Sequence, residues 1–599
     1  MIGTYAAVVA VCGASLSIGQ AAIGLCGQRR WSWLSPAVGL ALLMAVCWAT
    51  VRLPGDGLVS AIVVLVLVVA SLAFLWRRLE DGGEALRAGW PVALVALLAG
   101  SLPFVAEGHF GILGTSFNPD MSQHLLATAR LADGHSSQLL HQGYPLGPHS
   151  VVVALNKGLG IGLVQGFSGL SVAVLVLAPL TALAAFRELG FLTRGAGALV
   201  VGLAYVFVSY FAQGAFKEII EALLVLAFVL ALREVTSAGW RDLSLRFVPT
   251  ALLAVGAVYA YSFAGLIWLL GAFVIWVVAE YALNQRWPAP RPLGLGLLVF
   301  AVLVAPEVGR MIDFHNFETF DPNGPGLGNL FGQVSPFEAL GIWPSGDFRL
   351  APGDGAVPAL GYYLGAAFGS ALLIYGVYRC WRRRESAILA GLAAAVVAYI
   401  AARCGGTAYT AAKAIEVAAP LVALTILLPL ATDARFESHA MRHKGTTEAQ
   451  GPLGWLSAAA LVVFVASAGV CSALALANAP VGPTSYSPAL TGLRPLVAND
   501  STLVLASPTL LADQQGTPYL AWELRGGRVC IAAEGELDSL THGVRFVVTQ
   551  GSVSKPPFPG IEVRKVAPPY VLWEATGPVA ANSPCPQVAV RQARQGPAR

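Results

Sequence analysis

Apolar runs of about 20 residues recur along most of this chain, separated by short breaks that hold many of its lysines and arginines. That length lets an α-helix cross the hydrocarbon core of a bilayer. Lipid offers the backbone no hydrogen-bond partner, so each run has to satisfy its own peptide groups by becoming helical. Of the 599 residues, 56% are hydrophobic and 12% charged, against roughly 25% charged in a soluble domain. The chain therefore reads as a polytopic α-helical membrane protein. Its net charge of +4 is too small to point to nucleic acid. Tyr5 to Cys26 is followed at once by QRRW and a second apolar run, so it reads as a first span and not as a signal peptide.

Apolar runs set against charged breaks give about fourteen spans: 4–26, 36–52, 57–75, 89–107, 161–187, 195–213, 218–233, 247–262, 264–284, 293–309, 357–378, 386–403, 412–431 and 454–478. Seven breaks are basic: 28–31, 76–81, 186–194, 232–246, 284–292, 379–386 and 434–444. With these spans all seven fall on one side, which the positive-inside rule makes cytoplasmic. Both termini, a loop at about 107–160, a loop at about 310–358 and the tail are then expected outside the cytoplasm, in a multi-pass protein of the plasma membrane. The membrane domain is expected over 1–480.

Residues 481–599 change character. The runs STLVLAS, RVCIAA, RFVVTQG and YVLWEAT predict strands, with a helical TPYLAWELRGG after the first. This tail reads as a small extracytoplasmic α/β domain. Cys530 and Cys585 lie in it and can pair if it is oxidised; the other six cysteines lie in or beside apolar runs as small core residues.

Polar residues cluster on the expected outer side. TSFNPDMSQHLL (115–126) gathers Asn118, Asp120, Gln123 and His124, and five of the nine histidines lie in the first outer loop. Leu125, Leu126, Ala129 and Leu131 follow at helical spacing, which predicts an amphipathic helix lying in the interface. Asp120 and His124 are an i, i+4 pair on one side of it. A carboxylate there suits a general base or a divalent cation, and equally an N-cap for the helix. Tyr144 and His149, in GYPLGPHS, can clamp a polar headgroup or anchor a loop. Lys217, Glu218 and Glu221 begin the seventh span; Glu218 complements the helix dipole, whereas Lys217 opposes it and can meet a lipid phosphate. Tyr409, Lys413 and Glu416 share a side of the thirteenth span. Charges inside a span are functional suspects, although Lys413 can also snorkel or pair with Glu416. Arg310 and Arg403 end spans on this side, and Asp313, His315, Glu318 and Asp321 lie in the second outer loop, whose DPNGPGLGN does not match an EF-hand. The sequence contains no P-loop, Rossmann fingerprint, HExxH or GxSxG.

FNPDMSQHLL, GYPLGPHS, KEIIEA and AYTAAKA, set among these spans over roughly residues 89–430, resemble the GT-C glycosyltransferases, in particular actinobacterial arabinofuranosyl- and mannosyltransferases of the cell envelope. The resemblance implies a polyprenyl-phosphate sugar donor, a glycan or glycoconjugate acceptor and catalysis at the extracytoplasmic face. It makes Asp120 the base, with His124 and His149 as helpers. It places Lys217, Lys413 and Arg310 on the donor phosphate, and Tyr144, Glu218, Tyr409 and His315 around the substrates. The sequence has NPD where some relatives have a tandem DxD, which leaves a divalent cation (Mg, Mn or Ca) open. A lipid-linked glycan polymerase or ligase, and a flippase or transporter, are the competing readings.

Overall fold

The computed structural model describes residues 1–579, apart from 116–119, 135–137, 236–243, 317–325, 445–451, 508–515, 534–543, 552–554 and the single residues 356, 486 and 558. Glu318, Asp321, Asn118 and Cys585 lie outside the described residues. The chain divides into two units, Met1–Asn118 with Gly134–Val481, and Pro119–Asp133 with Gly482–Arg599.

The first unit is helical. Its elements run α1 (Ile2–Leu25), α2 (Ser35–Thr50), α3 (Asp56–Arg78), α4 (Gly82–Ala106) and the short β1 (Ile112–Leu113). After α5 (Met121–Ala132), which belongs to the second unit, come α6 (Gln138–His141), α7 (Gly147–Leu159), α8 (Leu163–Ala182), α9 (Phe191–Gly202), α10 (Tyr205–Ala212) and α11 (Phe216–Val235). Then follow α12 (Val248–Asn284), α13 (Pro290–Val304), α14 (Val308–Asn316), α15 (Ala359–Arg382), α16 (Ser386–Gly405), α17 (Ala408–Lys444) and α18 (Pro452–Ala477). The strand β2 (Val481–Gly482) pairs with β1.

Among the described residues, ten helical segments are long and apolar enough to cross a membrane, eleven if the pair α9–α10, bent by 51°, counts as one span. This is fewer than the fourteen expected, for three physical reasons. Helix α2 has only 16 residues. Helix α11 carries Lys217, Glu218, Glu221, Arg233 and Glu234 within its 20 residues. Helix α12 contains two passes: at Ser262 its backbone leaves the helical region, with φ 60° and ψ −152°. The rings of Phe247 and Trp276, at opposite ends of that sequence, are 6.2 Å apart, where a straight helix would separate them by about 43 Å. The runs 247–262 and 264–284 are the two arms of this fold-back.

Contacts link the basic breaks, directly or through the residues that flank them. Arg29 lies 3.8 Å from Glu80, Asp81 accepts from the Trp31 amide at 2.7 Å, and Arg194 lies over the Trp33 ring. Arg233 pairs with Glu385 at 2.8 Å and donates to the Ala185 carbonyl. Asn284 donates to the Arg384 carbonyl, and Arg379 and Arg383 both pair with Asp433. One basic face results.

Helices α1 and α2 cross at glycine. A Cβ on Gly39 would lie 1.7 Å from the Ser15 carbonyl oxygen, and one on Gly19 2.0 Å from that of Ser35. Backbones this close are the packing mode that small residues permit in membranes.

The second unit holds a five-stranded sheet of β3 (Ser501–Ala506), β4 (Arg528–Ala533), β5 (Phe546–Gln550), β6 (Ile561–Ala567) and β7 (Tyr570–Ala575), in the order β4-β3-β5-β7-β6. The first three are parallel and the last two add antiparallel. Alternation buries Val504, Val548 and Leu572 in one core with Leu490, Leu493 and Leu520, and Leu503, Val547 and Trp573 in another. Helices α19 (Pro488–Val497) and α20 (Gly516–Glu523) supply residues to the first core. Helix α5 packs against α20, so its apolar stripe is buried inside this unit instead of lying in a membrane interface. Cys530 is disulfide-bonded.

Replacing Gly39 with Leu is expected to abolish the monodisperse folded protein on size-exclusion chromatography. Gly13→Ala on α1, where a Cβ meets nothing within 4 Å, is expected to leave the profile unchanged. A normal profile for Gly39→Leu contradicts the crossing.

Candidate active site

Helices α11 and α17 both begin on the side opposite the basic face. Lys217 precedes Arg233 by 16 residues, about 24 Å of helix, and Lys413 precedes Asp433 by 20, about 30 Å. Side by side, the two helices bring Lys413 Nζ to 2.9 Å from Glu218 Oε1. The Tyr261 hydroxyl, at the fold of α12, donates to the same carboxylate oxygen at 3.2 Å. Lys217 Nζ lies 4.1 Å from the Tyr144 ring centre and 5.5 Å from that of Tyr261. Lys413 Nζ lies 4.4 Å from the Tyr409 ring and 5.8 Å from Tyr261. Two ammonium groups thus share one aromatic floor, an arrangement that attracts cations electrostatically. Lys217, Glu218, Lys413, Tyr409 and Tyr144 are brought together here.

One turn deeper the helices carry Glu221 and Glu416, both fully buried. Neither carboxylate has a hydrogen-bond partner among the described residues, and neither has the Tyr210 hydroxyl. Tyr261 and Tyr210 were not singled out by sequence. The only signal for Tyr261 was its place at the polar break between two apolar runs.

The Tyr144 turn is held from outside. Arg310 donates to the Tyr144 carbonyl at 2.6 Å and to the Leu140 carbonyl at 3.2 Å, and pairs with Glu307 at 3.3 Å through Nε. Its guanidinium lies 4.7 Å from the Trp48 ring, and Arg52 also lies 4.7 Å from that ring. The Trp48 indole donates to Glu307 at 2.7 Å. With every nitrogen engaged by protein, Arg310 holds the Tyr144 loop in place. A Cβ on Gly143, whose φ is 67°, would lie 2.2 Å from the Arg310 carbonyl oxygen, so only glycine lets the two segments approach this closely.

His149 is fully buried among the rings of Tyr144, Phe167 and Phe216. Burial pushes its pKa down to about 3. His315 is exposed and packs edge-on against Phe263 at 5.2 Å. Asp120 and His124 belong to the second unit. Asp120 is exposed and precedes α5 without capping it through its side chain, and His124 is buried. In the same unit Arg494 pairs with the buried Glu523 at 3.0 Å, and Arg525 lies over Trp522; burial and Arg494 push the Arg525 pKa down to about 10. Among the described residues no group of three or more His, Cys, Asp or Glu is placed to hold a metal ion.

No protein-family model and no curated protein matches the chain. Among solved structures it is similar to the arabinofuranosyltransferase AftD from mycobacteria, with 14% identity over 83% of this chain and a TM-score of 0.51. The aligned region spans 40% of that protein's length. It is also similar to ArnT from Cupriavidus metallidurans bound to undecaprenyl phosphate, with 13% identity, 82% of this chain, 98% of that one and a TM-score of 0.49. The likeness to AftD is one of fold alone, that of a polytopic helical membrane protein.

Lys413→Met strands Glu218 as a buried charge and is expected to cost roughly 3–5 kcal/mol in thermal or denaturant unfolding. Glu416→Gln removes a carboxylate that lacks a partner and is expected to leave stability equal or higher. A large loss from Glu416→Gln alone contradicts this assignment.

Proposed function

We propose that this protein is a membrane glycosyltransferase that moves a sugar from a polyprenyl-phosphate donor to a cell-envelope glycan or glycoconjugate at the extracytoplasmic face. The observation that carries the reading is the pair Lys217 and Lys413 at the membrane boundary, on the side away from the basic face. Lys413 pairs with Glu218 and Lys217 lies over the faces of Tyr144 and Tyr261; the lipid phosphate is placed beside these two cations. The fold shared with an arabinofuranosyltransferase supports the same reading.

In the proposed reaction the Asp120 carboxylate takes the proton of an acceptor hydroxyl. The freed oxygen attacks the anomeric carbon, the bond from that carbon to the phosphate oxygen breaks, and the polyprenyl phosphate leaves with the electron pair. Lys217 stabilises the charge that develops on it. Tyr144, Tyr409 and Glu218 shape the site, His124 assists Asp120, and His149 and Arg310 position the Tyr144 loop. Any need for a divalent cation is met by no cluster of acidic ligands among the described residues.

With purified protein, polyprenyl-phosphate pentoses and hexoses as donors and envelope glycans as acceptors, wild type is expected to transfer sugar. Asp120→Asn is expected to lower kcat by about 10²–10⁴. Lys217→Met is expected to lower kcat/KM for the donor about tenfold to a hundredfold, as loss of a charged hydrogen bond does. Equal turnover by wild type and Asp120→Asn overturns the base assignment, and wild-type inactivity with every donor overturns the reading. Orientation is tested separately in a Cys404→Ser background, since Cys404 is exposed. Arg30→Cys is expected to react with a membrane-impermeant maleimide only after permeabilisation, and Glu107→Cys in intact cells; the reverse pattern inverts the topology.

A further inference from the structure

A cavity of about 180 Å³ opens at the basic face between the ends of α1 and α3, remote from the lysine pair. Gln28, Arg29 and Arg78 line it together with Phe74, Leu75 and Leu79. The Arg78 guanidinium is held 4.9 Å from the Phe74 ring. Arg29 has Glu80 at 3.8 Å, beyond hydrogen-bond reach, while Asp81 accepts from the Trp31 amide. Arg29, Arg30, Arg77 and Arg78 stand against Glu80 and Asp81, four positive charges to two negative in these two breaks.

We infer that this cavity takes the headgroup of an anionic phospholipid of the leaflet at the basic face. Both helices end here, and their negative C-terminal poles account for an arginine apiece. They do not account for an open cavity that two arginines and a glutamine line together with apolar side chains. Helix α3 presents Leu65, Val69 and Leu72 outward, each more than half exposed, and ends in Trp76 at 91% exposure. Such a surface is stable only against lipid, and Trp76, two residues before Arg78, puts the cavity at the level of the headgroups. A phosphodiester in the cavity pairs with Arg29 and Arg78. A zwitterionic lipid offers the same chains, but its own cation cancels the attraction; basic residues at a membrane surface select for net negative charge.

The test uses native mass spectrometry of the full-length protein, released from detergent with equal phosphatidylglycerol and phosphatidylcholine. Wild type is expected to retain phosphatidylglycerol at least about tenfold over phosphatidylcholine. Arg29→Ala with Arg78→Ala is expected to remove that preference. Arg382→Ala, an exposed arginine of the same face outside the cavity, is expected to keep it. If the double variant does not fold, Arg29→Glu at an exposed side chain replaces it, with an expected loss of about fivefold. Equal retention of the two lipids by wild type overturns the inference. So does an unchanged preference in the folded cavity variants, or an equal loss in Arg382→Ala, which marks attraction to the whole basic face.

Discussion

Lys413 and Glu218 meet at 2.9 Å between two helices that are otherwise apolar. Either charge alone at that depth is costly, so the bilayer permits them only as a pair. The pair fixes α11 and α17 to each other at one height. Tyr261 can then reach Glu218 only if α12 folds back at Ser262, as it does. The same contact gives Lys217 its second ring. The polar end of the membrane unit is thus ordered outward from one ion pair, and the proposed donor site inherits its geometry from it.

Arg310, which the resemblance places on the donor phosphate, is engaged by the protein. Arg310 ends a span on the right side, but its fork is filled by two carbonyls and a carboxylate, and its face by Trp48. No local pattern announces this, because Trp48 and Glu307 are 259 residues apart. A planar fork with five donors is suited to bracing a loop from several directions, whereas an ammonium on a flexible stem is a point charge. That contrast suits Arg310 to bracing the Tyr144 loop.

Much of the fold was legible because lipid makes hydropathy a strong signal. Each apolar run from 4–26 to 454–478 lies on a helix, and the seven basic breaks meet on one face. The β-strands at 501–506, 528–533, 546–550 and 570–575 were legible from alternation or apolar runs. The strand at 561–567 was not, since Ile-Glu-Val-Arg-Lys-Val-Ala lies largely exposed at the sheet edge. The helix after Asp120 was found, but its setting was missed: an amphipathic stripe fits a membrane interface or a protein core equally well, and only tertiary packing against α20 decided it. Within the site, Lys217, Glu218 and Lys413 stood out as charges in oily surroundings, while Tyr261 and Tyr144 acquired their place from contacts no spacing encodes.

The most direct measurement is a structure of the protein determined with a polyprenyl phosphate bound. The account predicts phosphate density beside Lys217 and the Tyr144 ring, with the polyprenyl chain leaving toward lipid and the Lys413–Glu218 pair intact. Phosphate density elsewhere, with Lys217 and Tyr144 unmoved and uncontacted, contradicts it.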